Sequence, residues 1–166
     1  MAVRDVIHVP HPTLREKAEK VTAFDESLAE LIDDMVETMR HESGAGLAAP
    51  QINVSKRVFV VEFGSKEDES IPPTLYTIVN PEITRFSQEL VTGAEGCLSI
   101  PGLMGEVERS QSITIQGKTR SGDAFKMKAD GWLARVFQHE VDHLNGVLYT
   151  DHATEVWNTE EAYDPV

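Results

Sequence analysis

The run QHEVDHLNG, residues 138–146, carries the side chains best suited to chemistry. On a helix, His139 and His143 lie one turn apart on a single face with Glu140 beside them. In this HExxH spacing two neutral imidazoles ligate a divalent ion and the carboxylate takes a proton from water. The competing reading is a solvated helix face that carries these residues by chance, and the third ligand decides between the two. In the longer pattern HExxHxxGxxH a last histidine completes the set; Gly146 matches the glycine, but the final position is Tyr149. Asp151, His152 and Glu155 lie near or past the expected end of the helix. Upstream, EGCLSIPG (95–102) holds the only cysteine, Cys97. A buried cysteine is most often a small hydrophobe. This one stands between Gly96 and a Leu-Ser-Ile-Pro turn, where backbone can approach a ligand closely, and a Cys/His/His set leaves a fourth position open, as catalytic sites do.

The elements that must position these groups follow from periodicity. HPTLREKAEKV predicts a short capped helix and a turn. FDESLAELIDDMVETMRHE predicts a longer one, with Leu28, Leu31, Ile32, Met35, Val36 and Met39 at helical spacing and Asp25 as N-cap. That helix should stop by SGAGLAAPQ, where Gly44 and Gly46 break it and Pro50 restricts its predecessor. The period then changes. RVFVVEF, LYTIVNPEI, SQELVTGAEG, GEVERSQSITIQGKT and DAFKMKADG predict mostly antiparallel strands, with SKEDESIPPT as an exposed acidic loop. GWLARVFQHEVDHLNG is helical again, with Leu133, Val136, Phe137, Val141 and Leu144 as its apolar stripe and Gly146 as its stop. Helix, strands, helix is an α+β order, with mostly antiparallel sheets packed around the C-terminal helix that carries the HExxH pattern. After Asp151 the chain reads as a short acidic tail (152–166), too short for another substantial element.

Composition sets the class. A chain of 166 residues, 40% hydrophobic and 26% charged, fits a single globular domain spanning 1–166. Its 28 acidic against 15 basic residues give a formal charge of −13, which argues against a broad nucleic-acid or anionic-membrane surface and leaves room only for a local basic patch. One cysteine forms no intrachain disulfide, so a reducing compartment is the simpler expectation. The N-terminal run MAVRDVIHVPHPTLREKAEKV has neither a signal-peptide core nor a transit-peptide composition, and no run reaches a membrane span; cytoplasmic localisation is expected.

GAGLAAPQ (44–51), EGCLS (95–99) and QHEVDH (138–143) resemble, in order and spacing, the signature motifs of the peptide deformylases, and the resemblance extends over nearly the whole chain to about Asp151. It implies Cys97, His139 and His143 as metal ligands. The ion it implies is one divalent cation, usually Fe(2+), with Zn(2+), Ni(2+) or Co(2+) accepted. It also implies a reaction: water activated by the ion attacks the formyl carbon of an N-formylmethionyl peptide, with Glu140 as general base, and formate is released. By the same resemblance the Gln51 side-chain amide and the Leu98 backbone N–H stabilise the oxyanion, Gly46 contacts the substrate backbone, and Ala45, Trp132 and Val136, with His139, line the methionine pocket. Glu95 and Arg109 would pair near the site, and Asp142 would orient a neighbouring group. A cotranslational role with transient ribosome contact is implied too.

Each residue has a plainer reading: Gln51 as a turn residue, Gly44 and Gly46 as a helix cap, Glu95 and Arg109 as a strand-to-strand ion pair, Trp132 and Val136 as core. Taken together these readings compete poorly. Two departures stand out, since Met104 replaces the basic residue that many members carry after EGCLS and the chain ends in NTEEAYDPV instead of a long basic helix. The rival functions are a HExxH metallopeptidase with a histidine or glutamate third ligand, and a metal protein that binds formylated peptides without cleaving them.

Overall fold

In the computed structural model, which describes residues 2–64, 70 and 72–159, helix α1 (Glu26–His41) begins where Asp25 caps it, its carboxylate accepting from Leu28 N at 3.1 Å. The six apolar residues of its stripe are buried. It stops before SGAGLAAPQ, as expected: Ser43 takes the left-handed turn (φ 57) and Gly44 N donates back to Met39 O. Gly46 instead opens a short strand, β1 (Gly46–Ala48), and Ala49–Ile52 form one 3-10 turn.

Strands β1, β2 (Val58–Phe63), β3 (Thr74–Phe86), β6 (Ser112–Lys118) and β7 (Ala124–Asp130) form one antiparallel sheet in that order. Strands β4 (Leu90–Cys97), β5 (Ile100–Ser110) and β8 (Glu155–Asn158) form a second. Val58 to Val61 are all buried because both faces of β2 are covered. Val58 and Val60 join α1 in one apolar cluster. Phe59 and Val61 pack on the other face with Ile78, Ile115 and the Val136, Phe137 and Leu144 side chains of helix α2 (Gly131–Leu144). A smaller cluster, Cys97, Ile100, Val107, Leu148 and Tyr149, lies under the second sheet.

The α+β architecture expected from the element order is the one observed. Local expectations needed correction. The short capped helix is a single 3-10 turn, Pro12–Arg15, capped by His11, after which the chain is drawn out by Ala18 N donating to Leu144 O and Glu19 bridging Lys56. GEVERSQSITIQGKT divides at Gln111 between β5 and β6, so that one expected strand serves two sheets. Part of the expected tail pairs as edge strand β8 along β5. Most of the expected acidic loop, and the tail from 160 on, fall outside the described residues. Among those described, no helix is long and apolar enough to cross a membrane.

Candidate metal centre

Helix α2 is held against the second sheet by side chains that complete backbone bonding. Gln138 accepts from Ser110 N and donates to Ser110 O, while Arg135 donates to the carbonyls of Val107 and Val91. This docking turns the HExxH face toward the end of β4. There the Cys97, His139 and His143 ligand atoms fall within 4.8 Å of one another, all buried. The Sγ of Cys97 lies 3.3 Å from His143 Nε2, which lies 3.2 Å from His139 Nε2. Ligands about 2.0–2.3 Å from a tetrahedral ion are separated by roughly 3.3–3.6 Å, so this spacing fits a divalent metal. His152 faces Asp142, Asp151 pairs with Arg15 and Glu155 is exposed in β8, so none of the downstream alternatives reaches the cluster.

The surroundings push the two imidazoles in opposite directions. Burial pushes the His139 imidazole down, but its contacts with Cys97 and Glu95 outweigh burial and raise it to about 10. His143, buried beside it, is held well below the ordinary value. Neutral imidazole is the form that ligates a cation, and His143 is held in that form.

Glu95 organises the ring behind the ligands. Its carboxylate accepts from His139 Nδ1 at 2.9 Å, which leaves Nε2 as the nitrogen turned toward His143 and available to a metal. It also accepts two bonds from Arg109, both 2.8 Å, and one from Arg135 at 2.6 Å. Burial alone would raise this carboxyl; the Arg109 and His139 bonds hold it well below the usual range. Arg109 reaches on to Asp142 at 2.7 Å, which places Asp142 behind the ligands.

Glu140 is fully buried, and neither of its carboxylate oxygens has a hydrogen-bond partner. Burial pushes it up to about 7, the range suited to moving protons near neutrality. Gly46 explains how it fits: a Cβ there would stand 2.7 Å from Glu140 Oε2. The glycine therefore makes room for the carboxylate, a reason the sequence reading did not give. Gly44 likewise accommodates Leu98, whose Cδ1 would lie 2.8 Å from an added Cβ.

Gln51 is buried and oriented, accepting from Ala48 N at 3.0 Å and donating to Ser99 Oγ at 3.1 Å and to Cys97 Sγ at 3.4 Å. Leu98 begins the turn between β4 and β5, directly after Cys97. Ala45 is half-buried ahead of β1, Trp132 is 37% exposed in the first turn of α2, and Val136 is buried in the core cluster.

Three supporting residues escaped the sequence reading. Ser99 fixes the Gln51 amide. Arg135 stands four residues before His139, hence on its helix face, and a cation on a face expected to be buried is the signal that marks it. Tyr149, which the sequence excluded as a ligand, stacks on His139 (centroids 6.0 Å, 23°) and donates to Leu103 O.

Comparison with known proteins agrees with this geometry. A family profile described as polypeptide deformylase matches residues 3–158. A peptide deformylase of Symbiobacterium thermophilum is 46% identical over 156 residues, 94% of this chain and 69% of that protein. One from Desulforudis audaxviator is 44% identical over 161 residues, 97% of this chain and 100% of its own length. Among solved structures, the peptide deformylase of Thermotoga maritima superposes with TM-score 0.87 at 39% identity, over 93% of this chain and 100% of that one. A class I type b peptide deformylase of Acinetobacter baumannii with Met-Ala-Ser bound gives 0.84 at 37% identity, over 91% and 98%.

Proposed function

Since the chain belongs to the polypeptide deformylase family, whose members remove the formyl group from nascent polypeptides, we propose that Cys97, His139 and His143 hold its metal and that Glu140 is its general base. The reaction is hydrolysis of the amide between the formyl group and the first amino nitrogen. A divalent ion, when bound, supplies Lewis acidity that polarises the carbonyl and makes water acidic enough to attack near neutral pH. We assign iron(II) on the family resemblance, with zinc, nickel or cobalt as substitutes that the same donors accept.

Glu140 takes the proton from the attacking water and returns it to the amine nitrogen as the C–N bond breaks, so formate and a free amino terminus leave. Gln51 Nε2–H and the Leu98 N–H donate to the oxyanion. The amide of Gln51 is already oriented by Ala48 and Ser99, and its bond to Cys97 Sγ keeps one N–H at the edge of the ligand set. Gly46 offers backbone to the peptide, and Ala45, Trp132 and Val136, with His139, receive the methionine side chain. Trp132 and Val136 are four apart on α2, which supports a shared face. The Met-Ala-Ser held by the Acinetobacter relative has the form of the product. Substrates are N-formylmethionyl chains met cotranslationally in the cytoplasm, with transient ribosome contact.

The observation that carries this reading is Glu140, a buried carboxylate with no partner beside three converging metal donors. The test is formate release from formyl-Met-Ala-Ser by protein prepared without oxygen and loaded with iron(II), beside Glu140→Ala. Release by the parent and its loss in the metal-loaded variant are expected. A parent protein shown to carry its metal yet releasing no formate would overturn the assignment.

A further inference from the structure

Arginine and lysine behave differently in this structure. Arg4, Arg15, Arg40, Arg109, Arg120 and Arg135 each pair with a carboxylate. No lysine among the described residues does, although acidic residues outnumber basic ones 28 to 15. Three of these free lysines share one place. A cleft of about 690 Å³ is lined by Lys17, Lys20, Arg57 and Lys118, with Glu82 as the only acidic side chain. Arg57 has no carboxylate either: its guanidinium is fixed by Leu144 O at 2.9 Å and Asn145 Oδ1 at 3.0 Å. In so acidic a chain, four cations set against the single carboxylate of Glu82 leave a local positive field in one concavity, which an outside anion would neutralise.

The field continues beyond the cleft. Pairing of β6 with β7 sets Lys118 opposite Ala124, Gln116 opposite Lys126 and Thr114 opposite Lys128. Alternate residues share a face, and since Ile113, Ile115 and Met127 point into the core, Lys118, Lys126 and Lys128 stand on the outer face. Two carboxylates stand on that face, Asp130 at its far end and Glu82, which lies opposite Gln116 on β3. The cations thus run as a track over several elements instead of gathering into one cradle.

We propose that this cleft and the adjoining face of β6–β7 bind the phosphate backbone of structured RNA. A track of spaced charges matches a repeating polyanion better than a single phosphate. Lysine, a compact point charge, suits phosphate oxygens without demanding the fork geometry that carboxylates favour from arginine. An anionic bilayer fits less well: the site is concave, and none of the exposed large apolar side chains lies in it. The binding is separate from the metal centre, so its failure leaves deformylation untouched.

The experiment measures binding of the metal-loaded protein to a labelled RNA hairpin by fluorescence anisotropy, from about 50 to 200 mM salt, with anionic phospholipid vesicles as the second probe. Lys17→Ala/Lys20→Ala/Lys118→Ala should weaken RNA binding about tenfold or more and flatten its salt dependence. Formate release and the thermal midpoint should stay unchanged, and Lys→Arg at the same positions should retain binding. Arg40→Ala/Arg120→Ala, which removes positive charge outside the cleft, should leave binding as it was. Equal RNA affinity in the triple variant and the parent, no RNA binding at the lowest salt, or binding to vesicles but not to RNA would each overturn the proposal.

Discussion

Glu140 and Glu95 are both buried carboxylates, one on the histidine-bearing helix and one bonded to it, yet their surroundings push them in opposite directions. Glu140, raised to about 7 by burial, favours its protonated form in the fold. Its contribution to stability is complete below the unfolded value near pH 4 and is lost as the pH rises through about 7. In chelator-treated protein, Glu140→Gln should therefore become more stable than the parent as pH rises, by about 3 kcal/mol at the plateau. Parallel urea titrations between about pH 5 and pH 8 check this, and a constant difference would refute it. Glu95 has the opposite sign: its lowered value stabilises the fold above the unfolded value, and that stability drains away as pH falls. Glu95→Gln leaves Arg109 and Arg135 short of their shared partner. A loss of about 3–5 kcal/mol in denaturant titrations is expected. Metal affinity should fall roughly 10- to 100-fold, because His139 loses the acceptor that fixes its ring.

At the scale of elements, two glycines separate stability from activity. Gly46, at the start of β1, adopts ordinary strand pairing with Val61, but a methyl group there meets the Glu140 carboxylate. Gly46→Ala should fold and bind metal while kcat for formate release falls at least about 100-fold. Gly146 ends α2 at φ 75, with an added Cβ only 2.5 Å from Arg15 O. Gly146→Ala should cost at least about 1–2 kcal/mol, read as a lower urea midpoint, because L residues resist that conformation and backbone gives way poorly. The helix faces, the Asp25 cap and the strand runs were legible in the sequence because each depends on local periodicity. The short β1 and the switch of sheet at Gln111 were not, since they depend on which distant strand accepts the backbone.

For the whole molecule, the proposed metal would join elements that the chain keeps apart. Cys97 comes from the end of β4 in the second sheet, and His139 and His143 come from α2, which packs its apolar side chains on the first sheet and bonds to the second through Arg135 and Gln138. Chelation should lower the thermal midpoint, by an amount that grows with the logarithm of metal concentration in the untreated sample. Calorimetry with and without chelator checks this, and the difference should disappear in Cys97→Ala. The charge distribution also belongs to this scale: a formal charge of −13 describes the sum, whereas folding collects unpaired lysines along one cleft.

The sequence by itself determined the ligand types, the HExxH spacing, the three motifs and the α+β order, because each is a local pattern of residue types. Tertiary structure decided what the patterns do together. It brought Cys97 to the two histidines, enclosed Glu140 without a partner, tied Glu95 to Arg109, Arg135 and His139, and gave Gly46 the task of leaving space. Burial and through-space contact between residues far apart in the chain set those properties, and no local pattern encodes them directly.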